Sequence, residues 1–253
     1  MANLMNHPIL VFVLTFLAMW VAARVGNGFR KKHAEIPDEE REDLGLILTA
    51  TLTLLGLIIG FTFSMAVTRY DQRKNYEEEE ANAIGTEYVR VDLLPGGDAE
   101  KVRELLRNYV ELRVRFYETR NPGNLRQINA ETAQVQGELW NAVKTPAETN
   151  QNAVVALVVK GMNDVINTQG YTQAAWWNRI PLAAWGLMWA IALCCNAMIG
   201  YYVLPTAGHW MRFMVMPLIV AVSFLLIADI DSPRWGIIQV HPQNLVSLGE
   251  SMR

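Results

Sequence analysis

Small and hydroxyl residues recur along one side of a long apolar stretch. At 100° per residue, Leu46, Thr49, Thr53, Gly56, Leu57, Gly60, Ser64 and Thr68 fall on a single helical strip. The same register carries on through Asp71, Asn75, Glu78, Asn82 and Gly85. In a membrane such a strip can do two things. Gly56 and Gly60 form a GxxxG pair and Ser or Thr hydroxyls can bond across helices, so the strip can serve close packing. Alternatively it walls a water-filled path for small inorganic ions. Thr49, Thr53, Gly60, Ser64 and Thr68 would line that path, Leu57 and Phe61 would narrow it, and Asp71, Asn75, Glu78 and Asn82 would form a vestibule. From the pattern alone, packing is the weightier reading. Conduction would also require a symmetric homo-oligomer, because one copy of a few helices does not enclose a pore.

Catalytic chemistry has no comparable foothold. His7, His33, His209 and His241 are scattered without ligand spacing, and there is no HExxH, P-loop, GxSxG or CxxC. Cys194 and Cys195 adjoin each other in an apolar stretch and suggest neither a disulfide framework nor a metal site. No enzyme activity, cofactor or metal is expected. The apolar spans contain no charged residue, which counts against a proton relay or a coupling-ion carboxylate.

The elements that must carry the strip follow from composition. Of 253 residues 51% are hydrophobic and 19% charged, and the mean hydropathy is +0.12. The charged share is below the roughly 25% of soluble domains, so the 22 basic and 25 acidic residues must be segregated from the apolar ones. That pattern indicates an integral membrane protein. A net charge of −3 argues against nucleic acid as a partner.

Four spans are expected. The first runs from Ile9 to Ala23 behind Pro8 and, with no Lys or Arg before it, reads as an uncleaved helix. The second begins near Leu44 and is uncharged to Thr68. The third, Ile180 to Leu204, is rimmed by Trp176, Trp177, Tyr201 and Tyr202, with Trp185 and Trp189 inside it to pack on neighbours. The fourth runs from Phe213 to Ala228 behind His209-Trp210-Met211-Arg212, joined to the third by a short loop. Nothing between Gly60 and Gly85 breaks a helix, so the second span should continue to Leu94, before Pro95, over about 75 Å. The acidic run Glu77 to Glu80 reads as a solvated face with i,i+4 pairs Arg73–Glu77 and Lys74–Glu78, or as a carboxylate ring at a vestibule. Arg69 or Arg73 turned inward would instead favour anions.

Between spans two and three lies a charged helical block. Asp98 is placed to cap a helix bearing Val102, Leu105, Leu106, Tyr109, Val110 and Phe116, which Asn121-Pro122-Gly123 ends as a turn. A second helix carries Ile128, Val135, Leu139 and Val143 up to Pro146, and a third carries Val154, Val155, Val158, Met162, Val165 and Ile166. Asp229 and Asp231 close the fourth span, where acid opposes the helix dipole and calls for a cation, from Arg234 or another helix. Basic residues flank both sides of the membrane: Arg24, Arg30, Lys31, Lys32 and Arg41 on one, Arg69, Arg73, Lys74, Arg179 and Arg234 on the other. The positive-inside rule nearly ties.

Two segments resemble a known family. Gly60-Phe61-Thr62-Phe63-Ser64 through Arg69-Tyr70-Asp71-Gln72-Arg73-Lys74 is similar to the end of the second helix of bacterial bestrophins. Asp229-Ile230-Asp231-Ser232-Pro233-Arg234-Trp235-Gly236, continuing to Gln243-Asn244-Leu245, is similar to the segment after their last helix. With Glu80-Ala81-Asn82-Ala83-Ile84-Gly85-Thr86 and Asp92-Leu93-Leu94-Pro95, the chain resembles the bacterial bestrophin-like domain family. That resemblance implies a homopentameric ion channel lined by its second helices, with cytoplasmic termini and central block. It implies a neck at Phe61, Leu57 and Thr53, with Thr53 departing from the usual apolar ring. It assigns motif roles to Arg69, Tyr70, Arg73, Asp229, Asp231, Pro233 and Gly236. The acidic cluster that binds calcium in animal bestrophins has no counterpart, the chain ending soon after Asn244, so calcium gating is not implied.

The expectation is therefore an all-α, multi-pass protein of the bacterial inner membrane. Residues 1–68 hold the first two spans, 69–179 an extramembrane helical domain, 180–230 the last two spans and 231–253 a tail. Its partners would be the lipid bilayer, small ions and copies of itself. The rival class is a non-conducting scaffold or signalling protein whose polar face only packs subunits together.

Overall fold

The computed structural model describes residues 4–32, 38–202 and 209–253, and among these it contains helices and no strand. The chain is organised as α1 (Pro8–Lys32), α2 (Asp38–Arg90), α3 (Gly96–Glu118), α4 (Pro122–Thr149), α5 (Ala153–Trp177), α6 (Leu182–Tyr202), α7 (His209–Asp231) and α8 (Gln243–Ser251). Short 3-10 turns occupy Leu4–Asn6 and Val91–Leu93. Four of the helices are long and apolar enough to cross a membrane. The end of the third span at Leu204, the loop after it and the centre of the first loop lie outside the described residues.

Two compact units are present. One comprises Met1–Thr68 with Arg179–Ile238, the other Arg69–Asn178 with Gln239–Arg253. In the first, α1 packs on α6 and α7. Its buried stripe is Val11, Thr15, Met19 and Ala23 at four-residue steps, while Ile9, Val13, Leu17, Val21 and Val25 stay exposed. This is the pattern of a helix with one side on protein and the other on lipid. A Cβ on Gly26 would collide with the Ala197 carbonyl oxygen, and one on Gly200 with that of Ala23. These two glycines let the α1 and α6 backbones touch. As expected, Trp185 and Trp189 pack on a neighbour, both against Phe224 of α7, with ring centroids 5.8 and 6.2 Å away.

The second unit is built around α3, α4, α5 and the later turns of α2. The predicted apolar stripes form its core: Val102, Leu106, Tyr109, Val110 and Phe116 meet Ile128, Val135, Leu139, Val143, Val155, Val158, Met162 and Val165. Leu105 and Ile166 are only half-buried, and Val154, at the start of α5, is exposed.

Local details differ from the expectation. Helix α3 starts at Gly96 with Pro95 as its N-cap, so Asp98 lies in the first turn and caps nothing. Its charge still complements the dipole there. Asn121 opens α4 rather than merely ending α3, its Oδ1 accepting from the Gly123 and Asn124 N–H groups at 2.7 and 3.4 Å, with Pro122 at the first helical position. Pro146 does not stop α4, which runs one turn further to Thr149. Helix α8 forms within the last residues of the chain.

Candidate functional site

Helix α2 is unbroken over 53 residues, about 80 Å. In the first unit its strip residues Leu46, Thr49, Thr53, Gly56, Leu57, Gly60, Ser64 and Thr68, and Phe61 at the strip's edge, are all exposed, while Leu55, Thr62 and Ala66 on the opposite side are buried. No atom of the described chain lies within 4 Å of where a Cβ on Gly56 or Gly60 would sit. Among the described residues the GxxxG pair therefore packs on nothing, and Gly26 and Gly200 supply the close approach instead. Phe61 is 66% and Leu57 53% exposed, large apolar groups that the chain leaves mostly uncovered.

The hydroxyls on this strip have a fixed polarity. Thr49 donates to Gly45 O at 2.8 Å, Thr53 to Thr49 O at 2.9 Å and Thr68 to Ser64 O at 2.9 Å. Each spends its proton on its own helix, so its oxygen faces outward with acceptor lone pairs only.

In the second unit the strip residues Asp71, Asn75, Glu78 and Asn82 are exposed, and Gly85 is half-buried against Leu248. The opposite face is charged yet buried: Arg73, Glu77, Glu80 and Glu87, interleaved with Ala81 and Ile84. This corrects the reading of Glu77 to Glu80 as one solvated face. The 3.6-residue period turns Glu77 and Glu80 inward while Glu78 and Glu79 stay out. Desolvation is offset by partners. The Arg113 guanidinium pairs with Glu80, Nε to Oε1 at 2.5 Å, with both side chains fully buried. Thr172 donates to Glu80 Oε2 at 3.1 Å and Tyr117 lies at 3.5 Å. Burial works against the charge of Arg113, but the Glu80 carboxylate overrides it and holds the pKa above its ordinary value. The Tyr117 phenol is pushed up, by burial first and then by Glu80.

Glu77 accepts from Asn244 Nδ2 at 2.7 Å and from the Leu245 N–H at 3.0 Å, anchoring the start of α8 where a helix favours negative charge. Arg73 Nε donates to the Ala175 carbonyl at 3.3 Å and is buried. It therefore does not lie on the strip, and the anion-favouring placement is removed for it. Tyr70 packs against the core of this unit, and Arg69 is half-buried.

The motif after α7 is a turn organised by two carboxylates. Asp231 accepts from Arg179 Nε at 2.9 Å and from the Ile180 N–H at 3.2 Å. Arg179 thus supplies a cation at this helix end, and its Nη1 also donates to Asn6 Oδ1 at 2.9 Å. Asp229 accepts from the Ile237 and Ile238 N–H groups at 2.7 and 2.9 Å. Pro233 lies in the turn this creates, and a Cβ on Gly236 would strike the Asp229 carbonyl oxygen, so only glycine fits. Sequence reasoning missed the buried roles of Glu77, Glu80 and Arg113. Their only local signal was the spacing of Arg73, Glu77, Glu80 and Ile84 on one helical face.

A family model described as Bestrophin-like domain matches residues 9–245. Among solved structures, a mutant of a bacterial bestrophin homolog from Klebsiella pneumoniae is similar with a TM-score of 0.65 at 11% identity, over 97% of this chain and 97% of that one. A second structure of a bestrophin homolog from that organism gives 0.62 at 13% identity, over 96% and 95%. One described as a membrane protein gives 0.64 at 13% identity, over 97% of each. At such identities the likeness is one of fold. No protein of curated function matches the chain.

Proposed function

The chain belongs to the Bestrophin-like domain family, and from that premise we propose that it is an ion channel of the bacterial inner membrane, assembled as a homopentamer around α2. The observation that carries this reading is the strip itself. Its side chains, from Thr49 to Thr68 and from Asp71 to Asn82, are exposed in the subunit while the reverse face of the same helix is buried. Glycines and hydroxyls turned to lipid would gain nothing, whereas turned to an axis they meet water. Leu57 and Phe61 form the constriction and Ser64, Asp71 and Glu78 the polar wall beyond it. The extramembrane unit and both termini lie on the cytoplasmic side.

The ions are cations. Thr49, Thr53 and Thr68 present acceptor oxygens, Asp71 and Glu78 are exposed carboxylates, and Arg73 is withdrawn into the core. Rings of such groups stabilise positive charge and repel anions.

Purified protein in planar bilayers under asymmetric NaCl tests both parts. Wild type passes current with a reversal potential on the sodium side of zero selectivity, and Asp71→Asn moves it toward the chloride potential. Absence of current from wild type, or a reversal potential already at that of chloride, overturns the proposal. Native mass spectrometry of the same preparation gives a pentamer, and a monomer or dimer would remove the axis.

A further inference from the structure

Glu87 stands apart from the other buried charges of the second unit. Its side chain is 0% exposed, and neither carboxyl oxygen has a hydrogen-bond partner. Its Oε2 lies against the backbone of Gly161 on α5, so closely that a Cβ there would collide with it. The cationic group on its own helix, Arg90, stops 4.0 Å away and is itself part-exposed. On α5, Asp164 adds a like charge, and Lys160 beside Gly161 is exposed. In the turn after α2, Asp92 is taken up by Arg103. The Arg90 guanidinium also borders the Gly161 backbone, yet no donor among the described residues comes within hydrogen-bond distance of the carboxyl group, which an ionised one requires.

We propose that Glu87 and Gly161 form a protonation-dependent latch between α2 and α5, closed while the carboxyl is neutral and released when it ionises. Gly161 is the socket: without a side chain, it admits the acid flush against the α5 backbone. Burial, the largest influence, opposed by Arg90 and reinforced by Asp164, lifts the pKa from 4.5 to about 8. The sign follows from linkage. Below about 4.5 the acid is protonated whether latched or free, and the contact has its full strength. Between about 4.5 and 8 only the free acid ionises, so each pH unit favours release, and above about 8 both forms are ionised and the effect levels off. The latch does not depend on whether the chain conducts.

Hydrogen exchange on the full-length protein in detergent, corrected for intrinsic exchange rates, reads this directly. In wild type the protection factors of α5 amides around Gly161 fall by up to about tenfold per pH unit between roughly pH 5 and 8, then level off. Glu87→Gln and Glu87→Met both give a flat profile, whereas Asp164→Asn keeps the fall. Gly161→Ala, which fills the socket, lowers protection already at pH 5. A flat wild-type profile, the wild-type slope in both Glu87 variants, or undiminished protection in Gly161→Ala overturns the latch.

Discussion

Phe61→Ala raises the single-channel current several-fold. Phe61, at the edge of the strip, is two-thirds exposed and one turn from Leu57. Around an axis, a ring of phenyl groups holds a collar that water enters reluctantly and that offers an ion nothing in place of its hydration shell. Truncation to a methyl widens the collar and removes apolar surface from it. If the barrier falls by only about 1 kcal/mol, the current rises about fivefold. Phe61→Ser does at least as much, since its hydroxyl also wets the ring, while Phe61→Leu, still bulky and apolar, does much less. Reversal potentials move little, because the charged groups lie elsewhere. Conductance unchanged in both Phe61→Ala and Phe61→Ser would remove Phe61 from the constriction.

Glu80→Ala destabilises the second unit severely. Glu80 and Arg113 are both fully buried, and deleting the acid leaves a guanidinium in the core with its counter-charge gone. It also strips Thr172 of its acceptor. Breaking such a pair costs about 3–5 kcal/mol, which lowers the melting temperature by on the order of 10–20 °C. Arg113→Met costs a similar amount by stranding the carboxylate. The double variant Glu80→Leu with Arg113→Met loses less than the sum, because no orphan charge remains. Thermal unfolding of detergent-solubilised protein, followed by tryptophan fluorescence, checks this. Trp176 packs edge-on against Phe116 and Tyr117 beside the pair, at 5.1 and 5.4 Å, and reports on that core. A Glu80→Ala melting point within a few degrees of wild type would show that the pair is not a keystone.

The two sides of α2 differ: the exposed one is the proposed ion path, and the buried one holds the fold. Both faces bear carboxylates, and composition cannot say which is which. Asp71 and Glu78 are exposed while Glu77 and Glu80, one and two residues from Glu78, are buried. A one-residue step turns a helix by about 100°, enough to move a charge from water to core.

The all-helical architecture, the four apolar spans, the unbroken course of α2 and the period of its strip were legible in the chain itself. All of these rest on local properties: the length of an apolar run, the absence of a breaker between Gly60 and Gly85, and a 3.6-residue repeat read over a few turns. Family membership was legible for a related reason, since Arg69-Tyr70-Asp71 and Asp231-Ser232-Pro233 are contiguous motifs. Tertiary structure alone decided which glycines bring backbones together, Gly26 and Gly200 rather than Gly56 and Gly60. It alone assigned Arg179 to Asp231, Arg113 to Glu80 and the start of α8 to Glu77. Those choices join residues remote in the chain, and a buried charge is stable only where such a remote partner arrives to replace its water.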